Sequence, residues 1–198
     1  MKRKLDSQKE DAKKSKSSGH WANGLLTAME DPDNIVKQDD KIVVIKDKYP
    51  KAEFHYLVIP KEEISTLKSV DADHLVLLRY MHKVGEELAE QHKHRTFKFG
   101  YHAEASMFRL HLHVISDDMN SPCLKTKKHW NSYTSGFFLD SEEVCNSLEE
   151  DGVVKKLSAD ECKAFLNEPL KCHKCDHIPK HMPSLKQHLL KHLEDTDK

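Results

Sequence analysis

Apolar positions along the chain follow two different periods, and together these periods predict an α+β domain with an antiparallel sheet. Alternating or short continuous apolar runs predict four β-strands, at residues 42–45, 54–59, 96–102 and 110–116. Apolar residues that recur every three or four positions predict a long helix over residues 73–92, capped by Asp71 or Asp73. Shorter helices are predicted at residues 24–29, 141–150 and 159–167. Two strands before the long helix and two strands after it are typical of an antiparallel sheet covered by helices.

The two ends of the chain differ from this central part. Residues 1–18 are polar and lysine-rich, so we expect a disordered basic tail. Its two basic clusters, Lys2–Lys4 and Lys13–Lys16, favour a bipartite nuclear import signal, and hence a nuclear protein, slightly over a plain solvated tail. Residues 117–138 are expected to be irregular and basic. These contrasts predict a tail over 1–18, a central domain over 19–168 and a separate unit over 169–198.

Composition narrows the classes of protein that the chain can belong to. Its 198 residues are enough for one ordinary domain with a small appendage. The net charge of -1 argues against a uniformly basic coat for nucleic acid, although local basic patches remain compatible with it. We expect no membrane partner, because no apolar run is long enough to span a bilayer and no export signal is evident. Five cysteines without an export signal indicate a reducing compartment and no disulfide framework.

Two histidines in the last predicted strand form the first candidate for catalytic chemistry. His111 and His113 are separated by one residue, so a strand would place both imidazoles on one face and the apolar residues Leu110, Leu112 and Val114 on the other. Imidazole transfers protons near neutral pH and can act as a nucleophile. The pair therefore predicts a site for phosphoryl or nucleotidyl transfer.

The C-terminal segment carries a metal-binding pattern. Cys172 and Cys175 form a thiolate knuckle, and His188 and His192 follow at the spacing of one helical turn. This set predicts a structural Zn²⁺ site and leaves incidental cysteines beside a histidine-rich helix as a poor alternative. The finger could present Lys186 and its neighbours to DNA phosphates, or it could pack on the main domain in a purely structural role.

Several motifs resemble the histidine-triad superfamily of nucleotide hydrolases and transferases. Residues 110–115 (LHLHVI) resemble its histidine motif, and residues 54–60 (FHYLVIP), preceded by Asp47 and Pro50, resemble its nucleotide-binding strands. Together with the finger, four further stretches resemble the superfamily's DNA-adenylate hydrolases: 19–21 (GHW), 47–51 (DKYPK), 100–102 (GYH) and 127–130 (KKHW). The resemblance covers residues 19 to 193 in the same order. It departs from the superfamily at Arg109, which stands where the first histidine of the triad is expected.

The resemblance implies a reaction and a set of site residues. His111 would attack the phosphorus of AMP on an adenylated DNA 5′ end, form a covalent histidine–AMP intermediate and restore the 5′-phosphate, with AMP as the final product. No metal is expected in this reaction. Supporting catalytic roles fall on His102, His113, Ser106 and His55. Nucleotide and phosphate binding falls on Asp47 and Lys51 and, with core packing as an equal alternative, on Ile35 and Ile42.

Contacts to DNA are implied for a further group of residues. His20 and Trp21 would stack as a wedge at a DNA end, or Trp21 would simply pack a helix on the sheet. Lys128, His129 and Trp130 would contact phosphates or form a structural corner. A monomer is expected, without the phosphopeptide-binding domain that precedes the catalytic part in some relatives. Two other functions stay open: a general nucleotide or phosphoramidate hydrolase, and a non-catalytic protein that binds DNA ends.

Overall fold

A six-stranded antiparallel sheet forms the centre of the computed structural model, which describes residues 24–196. The spatial order of the strands is β1-β2-β3-β5-β4-β6. The strands are β1 (Ile35–Gln38), β2 (Ile42–Lys46), β3 (His55–Pro60), β4 (Phe97–His102), β5 (Leu112–Ser116) and β6 (Phe138–Asp140). The predicted α+β class with an antiparallel sheet is confirmed.

Six α-helices accompany the sheet in the described part of the chain. They are α1 (Gly24–Glu30), α2 (Leu75–Ala89), α3 (Lys127–Thr134), α4 (Ser141–Asp151), α5 (Ala159–Asn167) and α6 (Met182–Thr196). The predicted long helix is α2, and one turn of 3-10 helix extends it at each end. Asp71 caps the preceding turn by accepting a hydrogen bond from the Asp73 amide at 3.1 Å. None of these helices has the length and apolarity needed to cross a membrane.

The sheet has two different faces, because side chains alternate along each strand. One face packs against α2 and α4 in the main hydrophobic core, which includes Val44, Val58, Leu112 and Val114. The opposite face carries His55 on β3, His113 on β5 and His102 on β4, which the strand register brings side by side. The sheet thus has a core face and a histidine face.

The C-terminal unit packs against the rest of the chain through a second apolar cluster. Leu185 and Leu189 of α6 contact a group that includes Trp130 of α3 and Ile115 of β5. Two polar contacts reinforce this packing: His173 Nε2 lies 2.9 Å from the Asp117 carboxylate, and Lys186 Nζ donates to the Ser121 carbonyl at 2.7 Å. The boundaries predicted at residues 18 and 168 stay predictions.

Some predicted elements were wrong or displaced. Residues 117–138 were expected to be irregular, but they contain α3, which begins after Thr126 because the Thr126 side chain accepts a hydrogen bond from the His129 amide. The strand predicted over 110–116 begins only at Leu112, since the Leu110 amide bonds to the Ile64 carbonyl instead of a neighbouring strand. The predicted basic tail, with His20 and Trp21, lies outside the described residues.

Candidate active site

An open cavity of about 310 Å³ lies on the histidine face, where β4 ends and β5 begins. Its lining combines imidazoles from the sheet, polar residues from the loop before β3 and side chains from α3. Eight of the residues predicted for catalysis or binding line it: Asp47, Lys51, His102, Ser106, His111, His113, Lys128 and His129. The sequence motifs therefore converge on one place in the fold.

The hydrogen bonding of His111 fixes which ring nitrogen can react. His111 is buried and immediately precedes β5, and its Nδ1 lies 2.8 Å from the carbonyl oxygen of Arg109. A carbonyl can only accept, so Nδ1 carries the proton and Nε2 holds the lone pair in the neutral ring. A nucleophile needs such a lone pair, and His111 presents it at the cavity.

A hydrogen-bonded chain behind His111 fixes the ring of His113. The Lys51 amide donates to His55 Nδ1 at 3.2 Å, so His55 carries its proton on Nε2. His55 Nε2 lies 3.0 Å from His113 Nδ1, which must then accept, and this leaves the proton of His113 on Nε2. Within the described residues, His113 Nε2 is buried without a partner. A buried N–H in need of an acceptor beside the cavity suits a phosphoryl oxygen.

His55 differs from its predicted role. It was expected to share the substrate phosphate, but its side chain is fully buried behind His113, and both ring nitrogens are already in hydrogen bonds. Asp47, His55 and His113 also lie close enough together to suggest a metal cluster, but the same hydrogen bonds occupy the His55 nitrogens. His55 therefore supports His113, and neither of its ring nitrogens is open to a substrate phosphate.

Burial keeps the histidine cluster uncharged near neutral pH. Loss of solvation lowers the pKa of His55 to about 4 and that of His102 to about 3, and repulsion between two protonated imidazoles further opposes charging His102 together with His111. The pKa values of His111 and His113 are also lowered by burial. In the free protein His102 is therefore neutral, which limits its predicted role as a proton donor to a leaving group; the role of stabilising that group is unaffected.

Asp47 and Lys51, which were predicted to bind nucleotide and phosphate, both line the cavity. Asp47 Oδ1 accepts the Tyr49 amide at 2.7 Å, and the Lys51 ammonium donates to the Tyr49 carbonyl. The two isoleucines proposed as adenine-pocket walls do not line the cavity. Ile42 belongs to the core on the opposite face of the sheet, so the alternative reading of Ile42 as a core residue is correct. Ile35 is partly buried beside α1, in the same apolar cluster as the cavity residue Met107, and its binding role stays a prediction.

The predicted DNA contacts divide into surface and buried residues. Lys128 is exposed and His129 is partly exposed on α3, at the edge of the cavity. The DNA-contact hypothesis is wrong for Trp130, which is 1% exposed and donates from Nε1 to the Lys171 carbonyl at 3.0 Å. Trp130 is the structural corner that was the alternative. Lys186 is also engaged, since its ammonium binds the Ser121 carbonyl and joins the finger to the main domain.

Tyr133 is a cavity residue that the sequence did not reveal. Its ring meets three imidazoles edge-on, with ring centroids 4.7 Å from His102, 5.4 Å from His113 and 5.5 Å from His55. The available signal was its place on α3, four residues after His129, which puts both on one helical face. This spacing is informative only if residues 127–134 are predicted to form a helix, and the sequence did not predict α3.

The predicted metal ligands form one cluster at the C-terminal end. Cys172 Sγ lies 3.5 Å from His192 Nε2, Cys175 Sγ lies 3.2 Å from His188 Nε2, and the two Nε2 atoms are 3.1 Å apart. Zinc bonds of about 2.3 Å to sulfur and about 2.0 Å to nitrogen would separate the corners of a tetrahedron by about 3.3–3.8 Å. The donor set and its spacing fit Zn²⁺ closely.

An antiparallel sheet with paired histidines at one end, followed by a Cys2His2 finger, defines a histidine-triad protein with a zinc-finger extension. A family model described as "Scavenger mRNA decapping enzyme C-term binding" matches residues 20–129, and one described as "C2HE / C2H2 / C2HC zinc-binding finger" matches residues 134–195. The chain belongs to the first of these families and carries the second as its C-terminal unit.

Aprataxins are among the similar proteins, and this confirms the resemblance found in the motifs. The chain is 46% identical over 193 residues to aprataxin of Ciona intestinalis, covering 96% of this chain and 50% of that protein. It is 49% identical over 185 residues to aprataxin of Danio rerio, covering 91% of this chain and 56% of that protein. It thus spans about half the length of these curated relatives. The crystal structure of the aprataxin ortholog Hnt3 in complex with DNA superposes with a TM-score of 0.74 at 25% identity, covering 88% of this chain and 96% of that one.

Proposed function

We propose that this protein removes AMP from adenylated DNA 5′ ends through a covalent intermediate on His111. The observation that carries the proposal is the 2.8 Å contact between His111 Nδ1 and the Arg109 carbonyl, because it implies a tautomer in which Nε2 is free to attack. The similarity to aprataxins, and to an aprataxin ortholog crystallised with DNA, supports the choice of DNA as the substrate.

The proposed chemistry has two displacements at the same phosphorus. The His111 Nε2 lone pair forms a P–N bond, and the bond between that phosphorus and the bridging oxygen breaks, which releases DNA with a 5′-phosphate. Water then attacks the phosphorus, the P–N bond breaks and its electron pair returns to Nε2. The proton of the water passes to the released phosphate or to solvent. Splitting one displacement into two easier ones is the usual benefit of a nucleophile.

The groups around the cavity match the charge that develops in these steps. The N–H of His113 gains an acceptor when a phosphoryl oxygen arrives, and Ser106 lines the same cavity with a hydroxyl donor. Lys51 adds a positive charge at the rim, where the Lys128 and His129 side chains lie on the path to solvent. These groups could balance phosphate charge without a metal ion.

We further propose that Zn²⁺ is bound by Cys172, Cys175, His188 and His192 and has a structural role. A finger of this size has little core of its own, so zinc binding would contribute directly to its folding. The ion would also hold α6 against α3 through the shared apolar cluster. A monomeric protein in the nucleus is the simplest state consistent with a DNA-end substrate and the basic N-terminal clusters.

The test is AMP release from a nicked duplex with an adenylated 5′ end, beside an AMP–lysine conjugate as a small substrate. The variants are His111→Ala and, as a matched control, His94→Ala, which removes an exposed imidazole that does not line the cavity. We expect rapid release from DNA by the wild-type protein and by His94→Ala. His111→Ala should lose activity by several orders of magnitude, and denaturant-quenched wild-type protein should carry AMP on His111.

Each alternative function has its own outcome. Release from AMP–lysine with none from DNA would replace the proposal with a general phosphoramidate hydrolase. Binding of DNA ends without release from either substrate would leave a non-catalytic binding protein. Equal rates for the wild-type protein and His111→Ala would remove His111 as the nucleophile.

A further inference from the structure

Arg109 has a backbone conformation that arginine rarely adopts. Its φ is 92°, and in the described part of the chain Met119 is the other non-glycine residue with a positive φ. A side chain with a Cβ clashes with its own backbone in this region, so the conformation persists only where the surroundings hold it. Arg109 stands at the position where the histidine-triad motif has its first histidine.

Three hydrogen bonds tie this strained position to the loop that follows β3. The Arg109 amide donates to the Ser65 carbonyl at 2.9 Å, and the next amide, of Leu110, donates to the Ile64 carbonyl at 2.8 Å. The side chain folds back in the same direction, and Arg109 Nη2 donates to the Lys61 carbonyl at 2.7 Å. The guanidinium of Arg109 is therefore bound to the start of the loop, at Lys61. The main chain of Arg109 and Leu110 is bound to the end of the loop, at Ser65 and Ile64.

The nearby carboxylate contributes little to this arrangement. Glu63 Oε1 lies 3.7 Å from Arg109 Nη1, but the Glu63 side chain is 92% exposed. An exposed ion pair at this distance is weakened by solvent and salt. The charge-assisted hydrogen bond to the Lys61 carbonyl is the stronger contact, because the Arg109 side chain is only 12% exposed.

The strained main chain determines where the Arg109 carbonyl points, and that carbonyl accepts the Nδ1 proton of His111. We propose that Arg109 is a positioning residue: its guanidinium, bound to the Lys61 carbonyl, holds the main chain at positive φ so that His111 keeps its Nε2 lone pair directed at the cavity. Arg109 does not line the cavity, so it acts through His111 and not on the substrate.

The same contact would matter again after attack. Once Nε2 is bonded to phosphorus, the imidazole carries a positive charge shared with Nδ1–H. A carbonyl already aimed at that proton stabilises the charge without rearrangement. Loss of the guanidinium contact should therefore lower kcat, whereas KM, which reflects contacts at the cavity rim, should change little.

The experiment compares the zinc-loaded wild-type protein, as the 198-residue chain, with Arg109→Ala, Arg109→Gly and Glu63→Gln. Long-range ¹H–¹⁵N spectra of the imidazole rings report the tautomer of His111 directly, and steady-state kinetics on adenylated nicked DNA give kcat and KM separately. In the wild-type protein and in Glu63→Gln we expect one tautomer, protonated on Nδ1. In Arg109→Ala we expect mixed tautomers and a kcat lowered about tenfold, with KM within about twofold, as the loss of one hydrogen bond predicts.

Arg109→Gly keeps the test decisive if the alanine variant does not fold, because glycine adopts positive φ without a Cβ clash. We expect it to fold and to show a milder loss of the same kind. A wild-type tautomer signal with wild-type kcat in either variant would overturn the proposal, and so would a loss confined to KM. The kinetic measurements rest on the proposed function, whereas the spectra do not. If the wild-type protein released no AMP from DNA, the proposed function would be refuted. The tautomer spectra would then still decide the role of Arg109.

Discussion

Replacing Trp130 with alanine should destabilise the fold and should not remove a DNA contact. Trp130 is 1% exposed, its indole N–H binds the Lys171 carbonyl, and its ring meets that of His173 with centroids 5.2 Å apart. Leu185 and Leu189 of α6 complete the cluster around it. The side chain thus lies where α3 meets the finger.

The size of the effect follows from the surface that the indole buries. A buried tryptophan removes about 200 Å² from water, which at about 25 cal/mol per Å² corresponds to about 5 kcal/mol. This area term is an upper bound, because the unfolded chain is already partly compact. Losing the hydrogen bond to Lys171 adds about 1 kcal/mol. We expect Trp130→Ala to lower the free energy of unfolding by about 3–5 kcal/mol, a large share of the ~5–15 kcal/mol of a typical domain.

The assay is urea unfolding in the presence of zinc, followed by circular dichroism because Trp130 is itself a fluorophore. Trp130→Phe keeps most of the volume, so it should cost less, about 1–2 kcal/mol. Lys128→Ala is the surface control on the same helix and should stay within about 0.5 kcal/mol of the wild-type protein. Wild-type stability of Trp130→Ala, combined with weaker DNA binding, would refute the reasoning, since it would mean that the indole faces DNA.

Three further outcomes follow from the site. Because burial lowers the pKa of His111, the neutral nucleophile should persist below pH ~6.5, and the acidic limb of kcat/KM should lie below that value; a limb at or above it would contradict this. His55 and His102 are neutral in the folded state with pKa values of about 4 and about 3, so the stability they confer is complete above pH ~6.5 and is lost as the pH falls towards 4. Urea midpoints measured with saturating zinc should decrease over that range, and a constant midpoint would be the contrary result. Removing the metal ligand in Cys172→Ser should lower both the zinc content and the urea midpoint and weaken DNA binding at fixed salt; unchanged binding by a zinc-free variant would make the finger irrelevant to DNA.

Elements with a strong local signal could be predicted from the sequence. The long helix α2 shows apolar positions at helical spacing, and β2 is a continuous apolar run, so both were predicted to within a few residues. The metal cluster followed from the spacing of its four ligands, because a knuckle and a helical turn each bring two donors together locally. The sequence-derived histidine pair and the loop from Asp47 to Lys51 also converge on one cavity.

Features that depend on tertiary packing could not be predicted in the same way. Helix α3 has the sequence KKHWNSYT, whose polar character conceals the buried Trp130, Asn131 and Tyr133. The strands β1 and β6 have only four and three residues, so neither shows a usable alternation. The face of Ile42 could not be predicted because β2 is buried on both sides and shows no alternation. The direct phosphate role for His55 failed for another reason, since only the folded structure shows that both of its ring nitrogens are already in hydrogen bonds.

Helix α3 connects the two parts of the molecule that the sequence presents as separate. Its Trp130 packs against the finger, whereas Tyr133, one turn later, contacts the imidazoles of His102 and His113. Asn131, between them, donates to the carbonyls of Leu166 and Glu168 and so anchors the segment that leads into the finger. Helix α3 thus contributes one side chain to the apolar cluster of the finger and another to the wall of the cavity, so the two units share a single rigid element.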